Sequence, residues 1–173
     1  NKAFTVDSAM SGGGNLGLDR VDMRITGATS TYTGGVTLAG TSTLTTGNQQ
    51  WLTNVASLTL GNETSLIYDG TVAGNYSGPL NATGASATIA TSGATAADFT
   101  VDGTVTATGN LVISALDGST ATTVLALDNA SSIAGSTVID GAKARINTSD
   151  SVGATGLTLT DGDLTLGTAL TLG

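Results

Sequence analysis

The apolar residues of this chain alternate with polar ones over short stretches nearly everywhere. Val21, Met23 and Ile25 are separated by Asp22 and Arg24, Val36 and Leu38 flank Thr37, Leu58 and Leu60 flank Thr59, and Val101 leads through Gly103 to Val105. A period of two predicts strands with one face inside and one outside. Leu111-Val-Ile113 and Val124-Leu-Ala-Leu127 are continuous apolar runs, which suit strands buried on both faces. The most regular stretch is the last one, where Leu157-Thr-Leu159, Leu164-Thr-Leu166 and Leu170-Thr-Leu172 place Leu inward and Thr outward. Helical periodicity is scarce. Its best candidate is Gln49 to Leu58, where Trp51, Leu52, Val55 and Leu58 share one helical face.

Turn residues punctuate these runs. Asp-Gly occurs at 69–70, 102–103, 117–118, 140–141 and 161–162, and Gly-Asn at 14–15, 47–48, 61–62, 74–75 and 109–110. Asp and Asn tolerate left-handed backbone and Gly has no Cβ to clash, so each pair predicts a tight corner. Phe4-Thr-Val-Asp7 is echoed by Phe99-Thr-Val-Asp102, and both copies continue to Gly-Asn-Leu, at 14–16 and 109–111. The echo raises a divergent duplication. Tyr68 to Ala97, with Pro79 and many small residues, reads as a long decorated turn region. The chain therefore divides near Gly93 into an N-terminal β segment with this turn region (1–92) and a more regular C-terminal one (93–173), and the two are expected to form one continuous structural unit.

Composition then narrows the architecture. Six aromatic residues in 173 are too few to fill the space between two sheets about 10 Å apart. A β-solenoid, or a related fibrous stack of strands, needs only Leu, Val, Ile and Ala inside, with Thr and Asn ladders outside. An all-β solenoid is the expected fold, and a β-sandwich is the alternative. Mean hydropathy of +0.23 and 39% hydrophobic residues argue against disorder, although threonine alone makes up roughly a fifth of the chain.

The same composition excludes several kinds of function. With no His and no Cys there is no neutral-pH proton shuttle, thiolate or zinc-thiolate site. A net charge of -8 with only five Lys and Arg disfavours nucleic acid, and no apolar run is long enough to insert into a membrane. The expectation is a structural, non-enzymatic protein.

Two resemblances give this expectation a setting. Thr31-Tyr-Thr-Gly-Gly-Val-Thr-Leu38, completed by Ala39-Gly-Thr-Ser-Thr-Leu44, resembles the repeat of autotransporter passengers. Those passengers are β-solenoids exported to the bacterial surface. Phe99 to Leu111, Thr122 to Asp128 and Leu157 to Leu164 are similar to shaft segments of phage tail fibres, in which three chains wrap together. The first implies an extracellular or cell-surface fibre or adhesin subunit, the second a virion component. Host or surface glycans are the partners such an adhesin would meet, besides further copies of itself. The Leu-Thr-Leu series that ends at Leu172 suggests a piece of a longer parent.

Candidate sites follow from residue type. Phe4 and Val6 at one end, and Leu164, Leu166, Leu170 and Leu172 at the other, lie in flat strands free of Pro and able to pair at their edges. Asp161 and Asp163 are the first suspects for a calcium ion, although no EF-hand spacing is present. No other cofactor is expected. Asn62, Asn75, Asn81, Asn129 and Asn147 fit the N-glycosylation rule. Gly12-Gly-Gly14-Asn-Leu-Gly17 has dinucleotide-loop spacing, but strand-like text follows it where a helix is required. Thr158, Thr165 and Thr171 approach the flat ladder that ice binding would need. A glycan-cleaving groove would have to draw on Trp51 and Tyr68 near Glu63 and Asp69.

Overall fold

The computed structural model describes residues 1–27, 30–127, 131–148 and 152–167. It is a β-solenoid of about 7 turns, 55% strand and 4% helix, whose sheets are all parallel. The sandwich alternative is thereby set aside.

Each coil visits three sides in turn. The long side is one eight-stranded sheet of β1 (Lys2–Val6), β4 (Val21–Ile25), β7 (Thr43–Thr46), β9 (Thr64–Tyr68), β12 (Ser86–Ser92), β15 (Asn110–Leu116), β18 (Ser136–Asp140) and β20 (Gly156–Thr160). The second side carries β3 (Leu16–Asp19), β6 (Gly35–Ala39), β8 (Ser57–Leu60), β11 (Leu80–Ala82), β14 (Val105–Ala107) and β17 (Ser132–Ile133). The third carries β2 (Ser11–Gly12) and β5 (Thr31–Tyr32), then helix α1 (Gln49–Asn54). Beyond the helix come β10 (Gly74–Tyr76), β13 (Phe99–Val101), β16 (Thr122–Leu125), β19 (Lys143–Ile146) and β21 (Asp163–Leu166).

In-register parallel stacking turns the period-two pattern into columns of like residues. On the long side one inward column runs Phe4, Met23, Leu44, Leu66, Ile89, Ile113, Ile139, Leu159. On the second side Leu16, Val36, Leu58, Leu80 and Val105 form another, and on the third Tyr76, Val101, Leu125, Ile146 and Leu166. Leu44, Leu58, Leu80, Ile113 and Ile139 have no accessible surface. Burying each such side chain contributes about 1.5–3 kcal/mol.

The buried positions are not all aliphatic. Thr46, Thr64, Thr91, Thr123 and Thr137 are buried, not outward as expected. Several are held by their hydroxyls: Thr64 Oγ1 donates to the Gly61 carbonyl at 2.9 Å, and Thr46 Oγ1 accepts from the Asn48 amide at 3.1 Å. A hydroxyl bonded to a corner peptide can be buried at little cost.

Residues 68–97 are an ordinary coil and not a long turn, because β10, β11 and β12 all lie there, and the long sheet runs on through β12 to β15 past Gly93. The segment Gln49 to Leu58, the best helical candidate in a chain read as strand nearly everywhere, does form a helix, but it stops at Asn54, since Val55 adopts extended backbone and β8 begins at Ser57. The Phe-Thr-Val-Asp echo is not a structural duplication: Phe4 lies on the long side and Phe99 on the third side. The segment Gly12 to Gly17 leads into strand β3, so no helix N-terminus stands there for a phosphate. Thr158 and Thr165 lie on different sheets, and Thr171 is outside the described residues.

Three of the Gly-Asn pairs staple neighbouring coils. Asn15 Oδ1 accepts from Gly35 N at 3.2 Å, Asn62 Oδ1 from Ala85 N at 3.0 Å and Ser86 N at 3.3 Å, and Asn110 Oδ1 from Ser136 N at 2.9 Å. These partners lie one coil ahead. A Cβ on Gly109 would strike the carbonyls of Gly84 and Ala85, which is why Gly precedes Asn110.

All three tyrosines occur as Tyr-x-Gly, at 32–34, 68–70 and 76–78. Each ring folds inward over its own Gly, and its hydroxyl donates to a carbonyl a few residues ahead. Tyr32 Oη reaches Gly35 O at 2.8 Å and also Gly14 O at 2.7 Å, Tyr76 Oη reaches Pro79 O at 2.8 Å, and Tyr68 Oη reaches Val72 O. Tyr68 also stacks on Phe99 with ring centroids 4.9 Å apart. Burial raises the pKa of all three, Tyr76 most. The unfolded chain ionises near pH 10, so the folded state loses stability as pH rises above that value. Each tyrosine kept protonated costs about 1.4 kcal/mol per pH unit there. Tyrosinate absorbance should therefore rise together with loss of the far-UV circular dichroism. Titration near pH 10 with the dichroism intact would contradict this.

Candidate functional site

The columns stop at strand edges at the two ends of the stack, and Phe4, Val6, Leu164 and Leu166 of the expected assembly residues lie there. On β1, Lys2 to Thr5 are all exposed and Val6 is half-buried against the core. Phe4 is 55% exposed, although its column neighbour Met23 is 2% exposed. Both residues of β2 are exposed as well. At the other end Leu159 and Leu166 are each 51% exposed, whereas Ile139 and Ile146 beneath them are fully buried. Leu157 and Leu164 are partly buried and pack on the core. Leu170 and Leu172 lie outside the described residues.

Phe4, Leu159 and Leu166 are apolar side chains that the inward rank of their own sheet has aimed over the core, with one neighbouring coil to cover them among the described residues. Such an edge exposes a row of unpaired backbone groups beside apolar surface, the arrangement that recruits another strand. Leu159 is the residue that sequence reasoning left out of the edge set. Its signal was present in Leu157-Thr-Leu159, but only strand pairing puts it on the same column as Phe4.

The acidic suspects sit at the same end. Asp161 occupies the corner after β20 with φ 50, and Asp163 opens β21 in register with Lys143. With Gly141 and Lys143 they line a shallow cleft of about 280 Å³. Lys143 supplies a positive charge where a calcium ion would need a further oxygen. Among the described residues no three acidic side chains converge as a metal-binding group.

The sequons occupy distinct settings. Asn81 is exposed at the centre of β11, on the outward rank of the second side. Asn62 uses its side-chain oxygen to hold the next coil. Asn75 donates from Nδ2 to Asp102 at 3.3 Å while its Oδ1 is buried. Asn147 is half-buried beside Gly167, and Asn129 lies outside the described residues.

Trp51 and Tyr68 are inside the core, so neither offers a stacking platform beside Glu63 and Asp69. A larger cleft of about 550 Å³ runs along α1, past Arg24, Gln50, Asp69 and Val72. Arg24 and Asp69 pair there, and the carboxamides of Asn48 and Gln49 donate to the backbone carbonyls of Gly27 and Asn75. No helix among the described residues is long and apolar enough to cross a membrane.

Comparison with family models, with curated proteins and with solved structures found no match for this chain.

Proposed function

We propose that this chain is a structural subunit of an extracellular or cell-surface fibre, of the adhesin type, that assembles with copies of itself through its strand edges. The observation that carries the reading is the pair of uncovered column ends, with Phe4 at one edge and Leu159 and Leu166 at the other. A side chain buried in every intermediate coil and half-exposed only at the ends is one coil short of its cover. The extracellular setting rests on the likeness of Thr31 to Leu44 to exported passengers, which are themselves solenoids. Against a three-chain phage shaft stands the enclosed core. The sheets of one chain bury Leu44, Leu80 and Ile113 without help from a neighbour.

The test is electron microscopy and mass measurement of the purified chain. Filaments or open-ended oligomers are expected from the full sequence, and monomers once Leu164 to Gly173 are deleted. Filaments that persist in the truncated chain would remove β21 from the assembly strands, a full chain that stays monomeric would sink edge assembly, and a fixed trimer would favour the phage-shaft reading.

A further inference from the structure

We infer that assembly is head-to-tail and in register, with the free edge of β20 in one copy pairing with the free edge of β1 in the next, so that Leu159 covers Phe4. This rests on the assembly reading above and fixes its polarity and its contact residues.

Phe4 and Leu159 are the two ends of the same inward column, and every step between them is parallel and in register. A further coil laid on either end by the same rule brings the other end of the column to that place. The two edges are also different surfaces. Pairing β1 with a second β1, or β20 with a second β20, would need antiparallel strands, which no pair of named strands in this fold uses. A heterologous contact of this kind does not close on itself and generates an open filament.

The third side fits the same joint. At one end of this side Leu164 and Leu166 finish the inward rank of the five-stranded sheet, and at the other Met10 is half-buried on the core and Gly12 pairs with the buried Tyr32. Gly12 has open space where a Cβ would stand, so this end leaves room for a protruding side chain such as Leu166. Lys2 would lie beside Leu157 at the margin of the column, where its stem covers apolar surface and its ammonium reaches solvent. Sliding β1 by two residues in one direction would instead set Lys2 on Leu159 and Phe4 on Asp161, burying a charge in the column.

The outward rank supplies a direct probe. Ala3 and Thr158 are the ends of an outward column that runs Ala3, Asp22, Thr43, Ser65, Thr88, Val112, Val138, Thr158. Paired strands lie about 4.8 Å apart, within the Cα separation a disulfide accepts. The chain has no cysteine of its own. The full-length double variant Ala3→Cys/Thr158→Cys, mildly oxidised, is expected to give a ladder of covalent dimers, trimers and larger species. A mixture of the two single variants should stop at dimers containing one of each. The offset pair Ala3→Cys/Thr160→Cys should cross-link at least tenfold more slowly. Both positions are exposed and outward, and circular dichroism of the single variants confirms that they fold. Separately, Leu159→Ser should raise the concentration needed for assembly at least tenfold.

The outcomes separate the two levels of the claim. Filaments whose single variants form disulfide dimers by themselves overturn the head-to-tail polarity and leave edge assembly standing. Equal cross-linking by the offset pair overturns the register. A chain that stays monomeric at all concentrations overturns the joint and the assembly reading together.

Discussion

Gly34→Ala is expected to destabilise the protein by about 3 kcal/mol, the upper end of the range for overpacking. A Cβ at position 34 would stand 2.6 Å from Tyr32 Oη, 2.7 Å from its Cζ, and closer still to the carbonyl oxygen of Gly14 in the preceding coil. None of these atoms is the loose end of a flexible side chain. The ring is buried and its hydroxyl is bonded to both Gly14 and Gly35, so relief requires moving two coils apart or breaking both bonds. Gly14→Ala is the control, because open space surrounds that position, and a change within about 0.5 kcal/mol is expected. Urea unfolding followed by far-UV circular dichroism gives the difference. Repeating Gly34→Ala in a Tyr32→Phe background should reduce the cost, since removing the hydroxyl removes one of the colliding atoms. Equal costs in the two backgrounds would mean that the Tyr-x-Gly contact is not the cause. Coils contact mainly their neighbours, so hydrogen exchange should show the loss concentrated in the first coils.

Gln49→Ala should cost about 2 kcal/mol, for a reason peculiar to the third side. Helix α1 replaces a strand there, contacts both β5 and β10, and would leave the inner edge of β10 without a partner. The carboxamide of Gln49 fills the gap as a neighbouring peptide would. Its Oε1 accepts from Asn75 N at 2.5 Å and its Nε2 donates to Asn75 O at 2.9 Å. On the other flank Asn54 Nδ2 donates to Ser30 O at 2.7 Å. Truncation at 49 leaves a partly buried donor and acceptor of Asn75 unmatched.

The isosteric variant Gln49→Glu sharpens the test. At neutral pH a carboxylate can still accept from Asn75 N but sets negative charge against its carbonyl oxygen. When protonated, the carboxyl can donate to that carbonyl and restore both bonds. The folded state therefore raises the pKa of the introduced group above the unfolded value of about 4.3. The recovered stability is present below that pH and lost as pH rises through the folded pKa. Stability of Gln49→Glu relative to wild type at pH 4 and pH 7 is the measurement. An equal deficit at both values would show that the paired bonds to Asn75 do not matter.

Much of the architecture could be read from the residue pattern, because a strand buried on one face writes its geometry as alternation. Val36-Thr-Leu38 and Leu58-Thr-Leu60 are in-out-in strands as expected, and the scarcity of aromatic residues pointed away from a sandwich. The edges were also legible in part, through Phe4, Val6, Leu164 and Leu166. What failed was any inference that needed to know which side of the coil a segment occupies. Phe4-Thr-Val-Asp and Phe99-Thr-Val-Asp read alike but lie on different sides, and Thr158 and Thr165 look like one ladder but belong to two sheets. Coil lengths explain this. Partners one coil apart are separated by 19 residues between Ser136 and Thr155 but by 26 between Asn110 and Ser136. A fixed-period search therefore loses the repeat.

The Gly-Asn and Tyr-x-Gly pairs show the same division at the level of single residues. Only the first was visible as turn chemistry. That Asn15, Asn62 and Asn110 reach the next coil, or that each tyrosine closes over its own glycine, follows only once coils are stacked.

By itself the sequence determined that the chain is β, has a narrow aliphatic interior and turns often, since alternation, composition and turn residues act within a few positions of the chain. Only the tertiary structure decided which segments share a side, that a helix stands in for a strand with Gln49 as its peptide, and that Phe4 and Leu159 end one column. Those relations join residues a whole coil or the whole stack apart, through parallel pairing whose partner the local pattern does not specify.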